Sequence, residues 1–180
     1  DSNGCQVTSP TVVSLNPKVE ITSVSFDPCV LVGTTDINIT VTPQGGDAGP
    51  YEVSTDGGIS FGTSGTYTYA LPVGMSYDIV IRDGNGCESV VWPIVIPSPF
   101  DANAVLTNEV TCLGDSDGSV DLTIVGGTTP YTISWTGPSA FTSSSEDISG
   151  LIAGTYDVTI TDDSSCVVNT SIIVTTIVDI

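Results

Sequence analysis

One phrase recurs along this chain and constrains its fold more than any other feature. It reads DSNGC (Asp1 to Cys5), DGNGC (Asp83 to Cys87) and DDSSC (Asp162 to Cys166): an aspartate, a tight turn and a cysteine. These cysteines stand 82 and then 79 residues apart, and a second pair, Cys29 and Cys112, keeps step at 83. Self-similarity at a fixed period marks a tandem array in which each period is one structural unit. Two modules follow, at about residues 16–97 and 98–180, with residues 1–15 read as the last strand of a preceding repeat, so the chain is expected to be a segment of a longer protein.

Within each period apolar and polar residues alternate, as in Ile37, Ile39, Val41 and Tyr77, Ile79, Ile81, then Val120, Leu122, Ile124 and Tyr156, Val158, Ile160. Period two predicts half-buried strands, and the Thr, Val, Ile and Tyr content of these runs agrees. Gly, Pro, Asn, Asp and Ser fill the gaps, and no stretch has helical spacing, so the fold is all-β. Gly45, Gly46, Pro50 and Tyr51 correspond to Gly126, Gly127, Pro130 and Tyr131, a turn between two strands. Pro97, Ser98 and Pro99 mark the boundary, where proline stiffens the connection by fixing its own φ and biasing the preceding residue toward extended backbone.

Modules of this size bury little core and gain from an added constraint. The cysteines admit two frames. Pairing within modules joins Cys29 to Cys87 and Cys112 to Cys166 and leaves Cys5 unpaired; pairing across junctions joins Cys5 to Cys29 and Cys87 to Cys112. The first frame makes each module self-contained and is preferred here. It requires Cys112 and Cys166 to share one end of the sandwich, hence an even number of traverses between them. Four fit the sequence: GSVDLTIV, YTISW, a strand near Ser145 to Leu151, and TYDVTIT. Any additional strand between them is expected to be short or absent.

The chain carries 21 acidic residues against two basic ones, Lys18 and Arg82, for a formal net charge of −19. Binding to nucleic acid or to anionic lipid depends on Lys and Arg, so neither is expected as a partner. No apolar run is long enough to span a bilayer, and membrane insertion is not expected. Without histidine, neither a Ser-His-Asp nor a Cys-His nucleophile can be assembled, and the acids fall mainly in turns, so the reading is of a protein that is not an enzyme.

Calcium is the one cofactor the sequence suggests. GDSDGS sets Asp115 and Asp117 two residues apart in a glycine-flanked loop, with Asp121 available to complete an oxygen shell. The competing reading is a solvated Asp-rich turn, and the first module lacks equivalent acids after Cys29. Asp83 and Asp162 are read as turn residues that accept from the amides that follow. Trp135 lies between Cys112 and Cys166 on the strand YTISW, in the Cys, Trp, Cys order of immunoglobulin domains, and is read as core. Trp92, beside the edge-strand signal of Pro93, and the aromatics Tyr67 and Tyr69 are the candidates for stacking on a ligand.

The run VTCLGDSDGSVDLTIVGGTTPYTISWTG, followed by EDISGLIAGTYDVTITDDSSC, resembles the SprB-type repeat of giant cell-surface adhesins of gliding and other Bacteroidetes. The likeness covers residues 110–166, and the first module is similar to a divergent copy. The resemblance implies two tandem immunoglobulin-like β-sandwiches, display on the bacterial cell surface, and a role in adhesion or in long surface filaments. It supplies no catalytic residues. The chain is therefore expected to be an extended, disulfide-stapled stalk segment whose partners are neighbouring repeats and other copies of itself. The alternative is a module that recognises polysaccharide or another surface protein.

Overall fold

The computed structural model describes residues 17–46 and 49–177. Six strands form in the first period: β1 (Glu20–Ser25), β2 (Asp36–Gln44), β3 (Glu52–Ser54), β4 (Thr68–Pro72), β5 (Ser76–Arg82) and β6 (Trp92–Val95). Seven form in the second: β7 (Asp101–Asn108), β8 (Gly118–Val125), β9 (Thr132–Gly137), β10 (Phe141–Ser143), β11 (Ile148–Leu151), β12 (Gly154–Thr161) and β13 (Val167–Val174). A short 3-10 turn, Pro138–Ala140, separates β9 from β10.

The sheets are ordered β1-β2-β4 and β3-β5-β6, then β11-β8-β7 and β10-β9-β12-β13. In each period the first, second and penultimate-hairpin strands share one sheet and the remaining strands the other, which is the immunoglobulin-like sandwich arrangement. The second period adds β10 at the edge of its larger sheet. Pro93 lies on β6, an edge strand, the place in a sheet where proline is tolerated.

Two compact units result. Unit one takes the described residues up to Val24, with Val41–Tyr67 and Asp78–Trp92; unit two takes Ser25–Thr40, Thr68–Tyr77 and the chain from Pro93. Unit one buries Val19, Val41, Val53, Ile79 and Ile81. Both basic residues lie in it and both are paired, Lys18 with Glu20 at 3.4 Å and Arg82 with Glu52. The Arg82 guanidinium also sits 3.9 Å over the ring of Phe61.

In unit two, the alternation of β8 and β12 turns Val120, Leu122, Tyr156, Val158 and Ile160 into one core with Phe100, Leu151 and Cys166. Trp135 is fully buried at its centre, and its Nε1 donates to the carbonyls of Ser145 (3.1 Å) and Glu146 (3.3 Å). The indole is core, as read from sequence.

The disulfide pairing differs from the expected frame. Cys29 is bonded to Cys166, across 137 residues and with 5.2 Å between Cα atoms, while Cys87 and Cys112 are free and exposed. Neither Cys29–Cys87 nor Cys112–Cys166 forms. The reason is parity. β10 is only three residues long but turns the chain back along β9, so five strands, not four, separate Cys112 from Cys166. Leu151 pairs with Gly118 at the start of β8, whereas Thr161 pairs with Thr132 beyond its far end. Cys112, before β8, and Cys166, after β12, therefore stand at opposite ends. Cys29 stands at the Cys166 end, because the Phe100 N–H donates to the Val30 carbonyl at 2.7 Å and Asp101 pairs with Val125, the last residue of β8. Cys5 lies outside the described residues.

Candidate functional site

The repeated residues converge where the chain enters its second period. Gly126 and Gly127 both adopt φ +66°, a left-handed turn that glycine takes without steric cost. They also admit a neighbour: a Cβ on Gly126 would lie 2.0 Å from the Pro99 carbonyl oxygen, and one on Gly127 would lie 2.8 Å from the Phe100 ring. The incoming segment thus runs directly against bare backbone, and the Gly127 N–H donates to the Ser98 carbonyl at 3.3 Å. The Tyr131 hydroxyl closes the turn by donating to the Gly126 carbonyl at 2.6 Å, and its ring stacks on Phe100 at 5.8 Å.

Asp162 ties this turn to the cysteine. Its Oδ2 accepts from the Thr128 N–H at 2.8 Å and its Oδ1 from the Cys166 N–H at 2.8 Å. Ser165, at φ +67°, makes the tight bend that Gly86 makes at φ +83° in the first period. Cys166 is 2% exposed and lies against the core, bonded to Cys29. The residue after Cys29, Val30, is also 2% exposed, and Leu31 forms a parallel bridge with Phe100. Disulfide, backbone bridge and apolar contact together close the joint. Beside it opens a cleft of about 590 Å³ lined by Pro28, Val95, Pro97, Thr128 and Ser164 among others, none of them charged.

Unit one repeats every part except the bond. A Cβ on Gly45 would lie 1.9 Å from the Lys18 carbonyl oxygen, the Gly46 N–H donates to the Pro17 carbonyl at 2.9 Å, and the Tyr51 hydroxyl donates to the Gly45 carbonyl. Asp83 Oδ1 accepts from the N–H groups of Asn85 (3.0 Å) and Cys87 (2.9 Å). Asp83 and Asp162 are turn residues as predicted. The tyrosine closure and the roles of Val30 and Phe100 escaped sequence reading, although the recurrence of GG followed by PY pointed to that turn.

The calcium candidates divide. Asp115 and Asp117 meet on Thr111, whose Oγ1 donates to Asp117 Oδ2 at 2.7 Å and to Asp115 Oδ2 at 3.3 Å. The Thr111 N–H also donates to Asp117 Oδ1, and these bonds hold the Asp117 carboxyl below its ordinary pKa. Asp121 lies on β8 and accepts from Thr123 at 3.5 Å. Among the described residues no three acidic or thiol side chains gather as a metal cage.

A tighter carboxylate lies in unit one, where Asp56 accepts from the Ser54 and Ser60 hydroxyls and from the Ile59 and Ser60 amides. Those bonds lower its pKa from 3.8 to about 2.

The aromatic candidates also separate. Tyr67 packs on Tyr51 at 6.4 Å and accepts from the Tyr51 N–H at 3.2 Å, while Trp92, at the start of β6, is 37% exposed. Both belong to unit one, and Tyr69, half-buried on β4, belongs to unit two.

Residues 104–140 match the model of the SprB repeat family, which places an SprB-type repeat on β7, β8, β9 and the turns between them. Among solved structures, the chain is similar to the three N-terminal domains of the highly immunogenic outer capsid protein of bacteriophage RB49, at 17% identity and TM-score 0.39. That alignment covers 89% of this chain and 59% of the other, so the chain spans under two thirds of that structure. It is also similar to the ectodomain of mouse nectin-like molecule 4, at 14% identity and TM-score 0.39, covering 91% and 66%. A third likeness is to murine CEACAM1b, at 16% identity and TM-score 0.36, covering 89% and 100%. A search of curated proteins found no match.

Proposed function

We propose that the chain is a structural and adhesive segment of a secreted bacterial cell-surface protein, in which two immunoglobulin-like modules, divided near Pro97 to Pro99, form a disulfide-stapled stalk. The Cys29–Cys166 bond carries this reading. Tension applied through the ends would pass from Cys29 directly to Cys166, so residues 30–165, the SprB-type repeat among them, are relieved of it. The extracellular assignment rests on the kinship of that repeat with surface adhesins and on a disulfide of the kind that persists in oxidising compartments. No helix among the described residues is long and apolar enough to cross a membrane.

Force spectroscopy of the oxidised chain tests the proposal. A stalk releases only residues outside the bridge, and reductant then adds roughly 470 Å of contour, from 137 bridged residues at about 3.4 Å each. Full extension without reductant overturns the reading. So would polysaccharide binding that disappears in Trp92→Ala, which would make the chain a recognition module instead.

A further inference from the structure

The closed joint uses two kinds of cysteine. Cys29 lies in the loop before the second strand of its period, and Cys166 lies in the Asp-led turn before the last. Cys112 is the counterpart of Cys29: it precedes the buried Leu122 by ten residues, as Cys29 precedes the buried Ile39. Cys87 is the counterpart of Cys166, and their turns agree bond for bond. The Asp83 N–H donates to the Cys87 carbonyl and the Asp162 N–H to the Cys166 carbonyl, each at 3.0 Å. The Gly86 and Ser165 N–H groups donate to the Asp83 and Asp162 carbonyls, again each at 3.0 Å.

Burial separates the filled halves from the open ones. Val30, after Cys29, is 2% exposed, whereas Leu113, after Cys112, is 95% exposed. Cys166 is 2% exposed, whereas Cys87 is free at the surface. Leu113 is thus a large apolar side chain almost wholly in water beside a free thiol, where its counterpart Val30 is buried beside a bonded one.

We propose that Cys112 and Cys87 are complementary half-joints, and that Cys112 of one copy of this chain forms a disulfide with Cys87 of a second copy, head to tail, with Leu113 docking beside the bond as Val30 does. The order matters. In the closed joint the loop cysteine comes from the earlier period and the turn cysteine from the later one, so Cys112 calls for a turn on a molecule that follows. With oxidised glutathione as oxidant, the Cys112 thiolate displaces one glutathione to give a mixed disulfide. The Cys87 thiolate of the second copy then attacks the Cys112 sulfur and expels the other glutathione. Two protein thiols become one disulfide, and one glutathione disulfide becomes two thiols. The bond requires only the geometry of the joint and is independent of whether the chain bears tension at a cell surface.

The test uses the full chain in two complementary forms, C5S/C87S and C5S/C112S, incubated with oxidised glutathione separately and together. The mixture is expected to yield a dimer of about 37 kDa, twice the 18.4 kDa chain, at least tenfold faster than either form alone, with peptides linking Cys112 to Cys87. Leu113→Asp, at an exposed position that leaves the fold intact by circular dichroism, should slow that dimer several-fold. Equal dimer formation in the separate forms, persistence of both thiols as glutathione adducts, an unchanged rate in Leu113→Asp, or an intrachain Cys87–Cys112 bond in the C5S chain would each overturn the proposal.

Discussion

Asp162 holds Cys166 from two directions: its carboxylate accepts from the Cys166 amide at 2.8 Å, and its own amide donates to the Cys166 carbonyl at 3.0 Å. The residue is 5% exposed, and its other carboxylate oxygen accepts from the Thr128 N–H. Hydrogen bonds to a charged group are worth roughly 1.5–3 kcal/mol each, and a buried donor left without its acceptor adds to the loss. Asp162→Ala should therefore lower stability by about 3 kcal/mol and Asp162→Asn by less, because the amide keeps one acceptor while facing Thr128 with a donor. Urea denaturation of the oxidised variants measures both; an unchanged midpoint in Asp162→Ala would remove this residue from the joint.

Gly126→Ala is predicted to cost about 3 kcal/mol or more, because its φ of +66° disfavours a side chain and the new Cβ would meet the Pro99 carbonyl oxygen at 2.0 Å. Gly84→Ala serves as the control. Nothing lies within 4 Å of a Cβ there, and its change should stay within about 0.5 kcal/mol of zero. Comparable losses in the two variants, by thermal or urea unfolding, would show that the close approach of the incoming chain is not what the glycine serves.

Opening the disulfide removes a cross-link across 137 residues, which the chain-entropy relation values at about 5 kcal/mol. Cys29→Ser should lower the unfolding free energy by up to that amount, and adding reductant to the parent chain should reproduce the effect. If the variant and the parent unfold at the same denaturant concentration, the bond contributes nothing to the folded state.

Asp56 gives a pH signature in unit one. Its folded pKa, about 2, lies below the ordinary 3.8 because the Ser54 and Ser60 hydroxyls and nearby amides bond the charged form. A depressed carboxylate pKa contributes stability that is present above the unfolded value and is lost as pH falls through the folded one. The Ile59 and Ser60 amide resonances, whose N–H groups donate to Asp56, should therefore titrate with a midpoint near pH 2. A midpoint at the ordinary carboxylate value would mean that the loop bonds do not form in solution.

The strands were legible because alternation is a local property: β8 and β12 bury Val120, Leu122, Val158 and Ile160 as their period requires. Trp135 was read as core from its place between Cys112 and Cys166, and it is fully buried although those two cysteines do not pair. The disulfide was not, because pairing depends on how many times the chain crosses between two cysteines. That parity hangs on β10, the three residues Phe141–Ser143 behind a 3-10 turn, too short to announce itself by periodicity. The closing hydroxyl of Tyr131 was half visible: its recurrence with Gly126 and Gly127 marked a turn, but the partner at Pro99 comes from a segment with no pattern of its own.

The Cys29–Cys166 bond also closes the covalent structure into a ring that the rest of the chain leaves at those two residues. A protease that cuts any one peptide bond between Val30 and Ser165 opens the ring without dividing the molecule, and the sheets still hold the cut ends in place. Two cuts there excise the piece between them and still leave the flanking segments joined, so parting them takes a cut and a reductant together. Continuity from end to end is thereby separated from the integrity of the polypeptide over three quarters of its length.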